Sequence, residues 1–187
     1  MTPFELIAQA VGIAAMAFNI LSFQQKTQKS VIGFQLFGSI LFAVNFFMLN
    51  APVGGILNLV GALRAIVFMN REKFRADHCA WLIFFTTLYV SSYILTFTVF
   101  QKELTPVAGI IELLPVIAMT VTTISFRMQS AKSIRKFGLI SSPSWLIYNI
   151  ANFAVGAIIC EVLSLGSIVI GLIRYDLKPR KGSATRP

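Results

Sequence analysis

Seven stretches of mostly apolar residues, near 4–23, 32–49, 54–70, 80–100, 106–126, 137–153 and 156–175, are separated only by short polar breaks. A bilayer core about 30 Å thick takes up one helix per ~20 apolar residues, whereas a soluble core could not hide this much apolar surface. Charged residues make up 12% of the chain, against about 25% in soluble domains, so lipid is the expected solvent. The pattern predicts an all-α polytopic membrane protein of seven spans.

The breaks are Gln24 to Ser30, Asn50-Ala51-Pro52, Asn70 to Asp77, Gln101 to Thr105, Arg127 to Lys136 and the tail from Asp176. Each carries turn or charge chemistry, and none has room for a second domain. The first span follows no basic region, has Glu5 near its start and lacks a small-residue cleavage site, so it is expected to stay in the mature protein.

A net charge of +9 would point to nucleic acid in a soluble protein, but here it lies between the spans. Fourteen of the 16 Lys and Arg fall on one side, in the breaks after the first, third and fifth spans, at the end of the seventh span (Arg174) and in the tail. The opposite side has only Lys102, and Arg64 lies within the third span. The positive-inside rule then puts the N-terminus outside and the C-terminus in the cytoplasm, with the bilayer as partner and no nucleic acid. Cys79 at a loop edge and Cys160 within a span are read as free thiols, with no disulfide or metal site.

Sliding the chain on itself by 103 residues superimposes spans one to three on spans five to seven, with about one position in six identical. The matches cluster: Met16 falls on Met119, Ser22-Phe23 on Ser125-Phe126, Lys29-Ser30 on Lys132-Ser133, Phe34 on Phe137 and Leu36 on Leu139. Both units start outside, so the fourth span returns the chain to the starting side. The expected organisation is 3+1+3: a three-helix repeat over 1–76, a linker helix with its loops over 77–105, a second repeat over 106–175 and a basic tail over 176–187. Parallel three-helix units of this kind recur in transporters, with the substrate between them near the midplane.

Short motifs sharpen the reading. Lys29-Ser30-Val31-Ile32-Gly33-Phe34 resembles the K-S-T-x-G-F loop of SWEET sugar transporters, and Ala131-Lys132-Ser133-Ile134 resembles its second copy. Ser144-Trp145-Leu146-Ile147-Tyr148 is similar to the family's L-W-L-L-Y, and Asn58-Leu59-Val60-Gly61 to its N-x-V-G. The family's spacing of sixteen between aromatic and Asn is kept from Phe42 to Asn58 and from Trp145 to Glu161. The chain most resembles YgjV-like bacterial inner-membrane proteins of the PQ-loop and SWEET superfamily. The resemblance implies an inner-membrane location and marks Asn58 as matching a sugar-contacting Asn. The Pro-Gln pair of the PQ-loop group is absent. Of the hinge prolines that the resemblance implies, Pro115 and Pro143 are present; opposite them stand Gly12, which can soften a helix and serve as a hinge, and Ile40, which cannot.

An ionisable group inside a span costs roughly 2.5 to 3.5 kcal/mol or more unless paired, wetted or protonated. Glu161 is such a group, and under the 103-residue shift it falls on Asn58. Its carboxyl could serve a substrate or cycle protons; otherwise it is protonated against a helix carbonyl or paired with Arg64. Arg64 lies close enough to the cytoplasmic end of its span to snorkel toward headgroups, the preferred reading, with a counter-ion role for Glu161 or an anionic substrate as the sharper one. Trp145 and Phe42 are candidate stacking platforms for a sugar or cation, although core packing explains either equally well.

Gln9, Gly12, Met16 and Asn19 form a polar stripe in span one that matches Glu112, Pro115, Met119 and Thr122 in span five, and such a stripe should face protein or water. Asn45 and Tyr148 add polar groups on the second helices, Asn152 is read as a helix end, and Ser30 and Ser133 as caps.

The expectation is a small polar, sugar-like solute transporter or facilitator working by alternating access around Phe42, Asn58, Trp145 and Glu161. The alternative is a non-transporting receptor or scaffold on the same fold. Catalysis is not expected: the one histidine, His78, lies in a loop, and no span contains an Asp. No cofactor is implied, and a homodimer is compatible with the resemblance.

Overall fold

The structure is a computed structural model and describes residues 3–48, 52–99, 101–152 and 155–177. Asn50-Ala51 of the second break and the tail from 178 lie outside the described residues. The described residues are helical, with no strand: α1 (Pro3–Ser22), α2 (Gln28–Met48), α3 (Pro52–Met69), a one-turn α4 (Arg71–Phe74), α5 (Cys79–Thr98), α6 (Pro106–Arg127), α7 (Ala131–Ala151) and α8 (Val155–Gly171). A π-helical turn, Leu172–Leu177, continues α8.

Local chemistry sets the helix starts. The Thr105 hydroxyl accepts from the Ala108 N–H at 3.1 Å and Pro106 occupies the first turn of α6, where its missing N–H has no cost. His78 Nδ1 accepts from the Ala80 N–H at 3.2 Å to open α5. Ser30 and Ser133 are not caps. Thr27 Oγ1 takes the Ser30 N–H at 3.2 Å, and Ser130 precedes α7, so both lysine-serine pairs lie inside a first turn. Asn152 is the C-cap of α7, its amide donating to the Tyr148 carbonyl at 2.9 Å.

One boundary departs from the expected span. α7 begins at Ala131, not near 137, and its first two turns hold Lys132, Arg135 and Lys136. Arg135, expected in a loop, is 1% exposed. Such burial is tolerable because Nε and Nη2 donate to Asp176 at 2.7 and 3.0 Å, and Nη1 donates to the Gln25 and Phe23 carbonyls at 2.9 and 3.3 Å. The helix can therefore run through a position that reads as polar surface.

α1, α2 and α3 pack in series, as do α6, α7 and α8, and α5 lies on α6. A ring contact between Phe68 and Phe85, 6.4 Å apart, ties α5 to α3. The two series meet through α1 against α8, α2 against α7 and α3 against α6. The interior holds Phe85, Tyr89 and Phe126, but also Ser22, Thr123, Ser125 and Ser164. Ile13, Ile83, Ile110 and Ile170 face outward. This is the reverse of a soluble domain and suits a hydrocarbon surround.

Gln28–Met48, Cys79–Thr98, Pro106–Arg127 and Gly156–Leu177 are long and apolar enough to cross a membrane, and Leu6–Ser22 and Gly55–Met69 are shorter apolar helices. α7 is more polar, carrying three basic residues and Ser141, Ser142 and Ser144. Pro115 and Pro143 sit inside α6 and α7, each removing one helical N–H.

Candidate functional site

Where the two series of helices meet there is a cavity of about 130 Å³. Its wall is built from pairs of positions 103 residues apart: Asn19 with Thr122, Phe23 with Phe126, Gln35 with Gly138, Ser39 with Ser142, and Gly61 with Ser164. Arg64, Trp145 and Glu161 line it as well, together with the hydroxyls of Ser125 and Ser141.

Glu161, about two turns into α8, accepts a hydrogen bond from the Ser142 hydroxyl on α7. Trp145 lies one turn beyond Ser142, its ring in a T-shaped contact with Tyr148 at 5.8 Å. Arg64 enters from α3. Its Nη1 donates to the Tyr89 hydroxyl and the Met119 carbonyl, both at 3.2 Å, and to Thr123 Oγ1 at 3.5 Å. The guanidinium carbon stands 5.0 Å from the Phe126 ring centre. Arg64 Nε is buried without a hydrogen-bond partner, and the buried Ser164 Oγ lies next to the Cys160 thiol.

The snorkelling expected of Arg64 does not occur. The side chain is 8% exposed and turns inward, because α5 and α6 supply three oxygen acceptors where headgroups would otherwise be needed. Nor does it pair with Glu161: the ion pairs among the described residues join Arg71 to Asp77, Lys102 to Glu112 and Arg135 to Asp176.

Of the residues singled out from the sequence, Glu161, Trp145, Asn19 and Arg64 meet on the cavity wall. Phe42 does not line it and contacts Phe46 at 6.3 Å. Asn58 is half-buried on α3 and off the wall, and Tyr148 stands behind Trp145. Asn45 ties α2 to α1, its amide donating to the Ala8 carbonyl at 2.7 Å. Gly12 permits that tie, since a Cβ there would stand 3.0 Å from Asn45 Nδ2. Glu112 is buried against Lys102 Nζ at 2.5 Å, and Gln9 is exposed, so the expected polar stripe turns only partly inward.

Ser39 and Ser142 were not among the expected site residues, although they coincide under the 103-residue shift and so were within reach of the repeat itself. Gln35 has no such signal. Among the described residues, no three His, Cys, Asp or Glu side chains gather as a metal site.

Hydrogen bonds between the two series cluster at the end of the bundle that carries the basic loops. Gln24 Nε2 donates to the Ser167 carbonyl at 2.7 Å and Ser167 Oγ to the Ile20 carbonyl at 2.7 Å. Gln28 Nε2 reaches the Phe126 carbonyl at 2.5 Å, and Arg135 adds its bonds to Phe23 and Gln25. These bonds join the two series of helices at that end.

Helices with an apolar exterior around a polar, charge-bearing cavity define a multi-pass integral membrane protein. Within that class, the chain belongs to the Imp-YgjV family of bacterial inner membrane proteins, whose family model matches residues 6–178. No curated protein and no solved structure matches it.

Proposed function

We propose that the protein moves a small polar solute across the bacterial inner membrane, with the cavity as its substrate site. The observation that carries this reading is that five pairs of residues 103 apart line one cavity together with Trp145, Glu161 and Arg64. Two related units that converge on one central site form a recurring transporter arrangement.

The helix contacts support the same reading. Under the shift α1 corresponds to α6 and α3 to α8, so the contacts α1–α8 and α3–α6 are one contact seen from either unit, and α2–α7 lies on the axis between them. The architecture is then seven spans arranged 3+1+3, with repeats over 1–76 and 106–175 and α5 as linker, as in the PQ-loop and SWEET superfamily. The basic loops face the cytoplasm and the N-terminus lies outside.

Rocking of the two units opens the cavity to each side in turn. The hydrogen bonds of Gln24, Gln28 and Arg135 between the units break when the basic side opens. Pro115 and Pro143 provide flexible points in α6 and α7. No catalytic role or cofactor is assigned.

The test is a ligand screen by thermal stabilisation of the detergent-purified protein, across sugars, amino acids and organic acids, followed by flux into proteoliposomes. A ligand whose binding is lost in Glu161→Gln and Trp145→Ala, and which crosses only in the protein's presence, supports transport. Binding without flux moves the receptor reading ahead; stabilisation indifferent to both variants removes the cavity as the site.

A further inference from the structure

We propose that the solute held in this cavity is a small monocarboxylate of about six heavy atoms, bound through Arg64, and not a hexose. The inference rests on the cavity being the substrate site.

Size gives the first constraint. An engineered apolar cavity of about 150 Å³ holds benzene, which has six heavy atoms. The cavity here is of about 130 Å³, room for a solute of that order, whereas a hexose has roughly twice as many heavy atoms.

Charge gives the second. Arginine stays protonated in proteins and offers five N–H donors. At Arg64 the bonds all leave from Nη1 and end on a hydroxyl or carbonyl oxygen of Tyr89, Met119 or Thr123. None of these carries a formal charge. The carboxylates of Asp77, Glu112 and Asp176 are taken by other cations, and Glu161, on the same cavity wall, is bonded to Ser142.

Arg64, 8% exposed and with Nε unbonded, thus forms no ion pair with a carboxylate among the described residues, although it stands beside an internal space. That is costly within a membrane, and an anion entering the cavity relieves it. A single positive charge matches a single carboxylate. Ser164 Oγ, next to the Cys160 thiol, is a buried hydroxyl on the wall, within reach of a hydroxyl or keto oxygen on the solute. Trp145 and the paired Phe23 and Phe126 give a short carbon chain an apolar wall.

The experiment compares acetate, lactate and pyruvate with acetamide, lactamide and glucose as stabilisers of the purified protein, against sodium chloride of equal ionic strength. Wild type should be stabilised by lactate and pyruvate and not by the amides. Arg64→Gln should weaken carboxylate binding about tenfold or more, and Arg64→Lys should recover part of the loss. The wild-type comparison of acid with amide stands even where an Arg64 variant does not fold. Amides or glucose binding as well as the acids, with binding lost in Trp145→Ala, would overturn the carboxylate assignment and leave the cavity as the site. Carboxylate binding that survives Arg64→Gln would also overturn it. Binding by any of these solutes that is untouched by Trp145→Ala and Glu161→Gln would remove the cavity reading and this inference with it.

Discussion

The guanidinium of Arg135 grips the carboxylate of Asp176 through two hydrogen bonds, at 2.7 and 3.0 Å, while its remaining amino group holds the backbone between α1 and α2. Three parts of the chain that are remote in sequence are thereby fastened at one point: the start of α7, the π-helical turn after α8 and the Phe23–Gln25 turn. Removing the acid leaves a charge inside the bundle.

Asp176→Asn should lower stability by about 3 kcal/mol or more, since truncating one partner of a buried pair strands the other. Thermal unfolding in detergent reads the effect. Replacing both partners with apolar residues of similar volume should recover much of the loss, and an Asp176→Asn protein that melts with wild type would show that the pair holds nothing.

Gly171 marks the place where α8 gives way to the π turn, and a Cβ there would stand 2.5 Å from the Phe23 carbonyl oxygen and 2.8 Å from Arg135 Cδ. A backbone oxygen cannot swing aside as a side-chain end can. Gly171→Ala should therefore cost about 1 to 3 kcal/mol through overpacking. Gly166, with nothing within 4 Å of its added Cβ, is the control, and Gly166→Ala should be neutral or stabilising by about 0.5 to 1 kcal/mol.

At the far end of α7 from Arg135, Lys102 neutralises the buried carboxyl of Glu112 and also reaches Asn152 Oδ1 at 3.4 Å. The Lys102 side chain is 39% exposed, so solvent screens part of the attraction. Lys102→Met should lower the melting temperature by the equivalent of about 1 kcal/mol. Adding Glu112→Gln should restore it, and a double variant no better than Lys102→Met would refute the pairing as the cause.

Cys79 is exposed and Cys160 buried, which makes the single exposed thiol a reporter of topology. With the basic loops inside, a membrane-impermeant maleimide should leave Cys79 unmodified in intact spheroplasts and modify it in inverted vesicles. Cys79→Ser should abolish the labelling. Modification in spheroplasts would reverse the orientation.

The helices were legible because apolar runs of membrane length leave little freedom, and the expected starts of α5 and α6 agree with the structure to within a residue. Glu161 and Trp145 were legible for different reasons: a carboxyl deep in a span demands a polar environment, and the motif resemblance with its spacing of sixteen marks the aromatic. Arg135 was not, because an arginine in a polar break reads as surface until its acceptor, 41 residues away, is known. Arg64 failed similarly. Depth in the span gave its side chain two routes, outward to headgroups or inward to protein oxygens, and only the fold reveals that Tyr89, Met119 and Thr123 stand on the inner one.

The two charge-bearing positions on the cavity wall have unlike counterparts under the 103-residue shift: Arg64 falls on Ser167, and Glu161 falls on Asn58. A bundle assembled from two identical copies of the first half would contain two guanidiniums and no carboxyl there, and one made from the second half two carboxyls and no guanidinium. One of each in the same space requires two unlike halves, so the interior has a direction that no pairing of two identical half-length chains could reproduce.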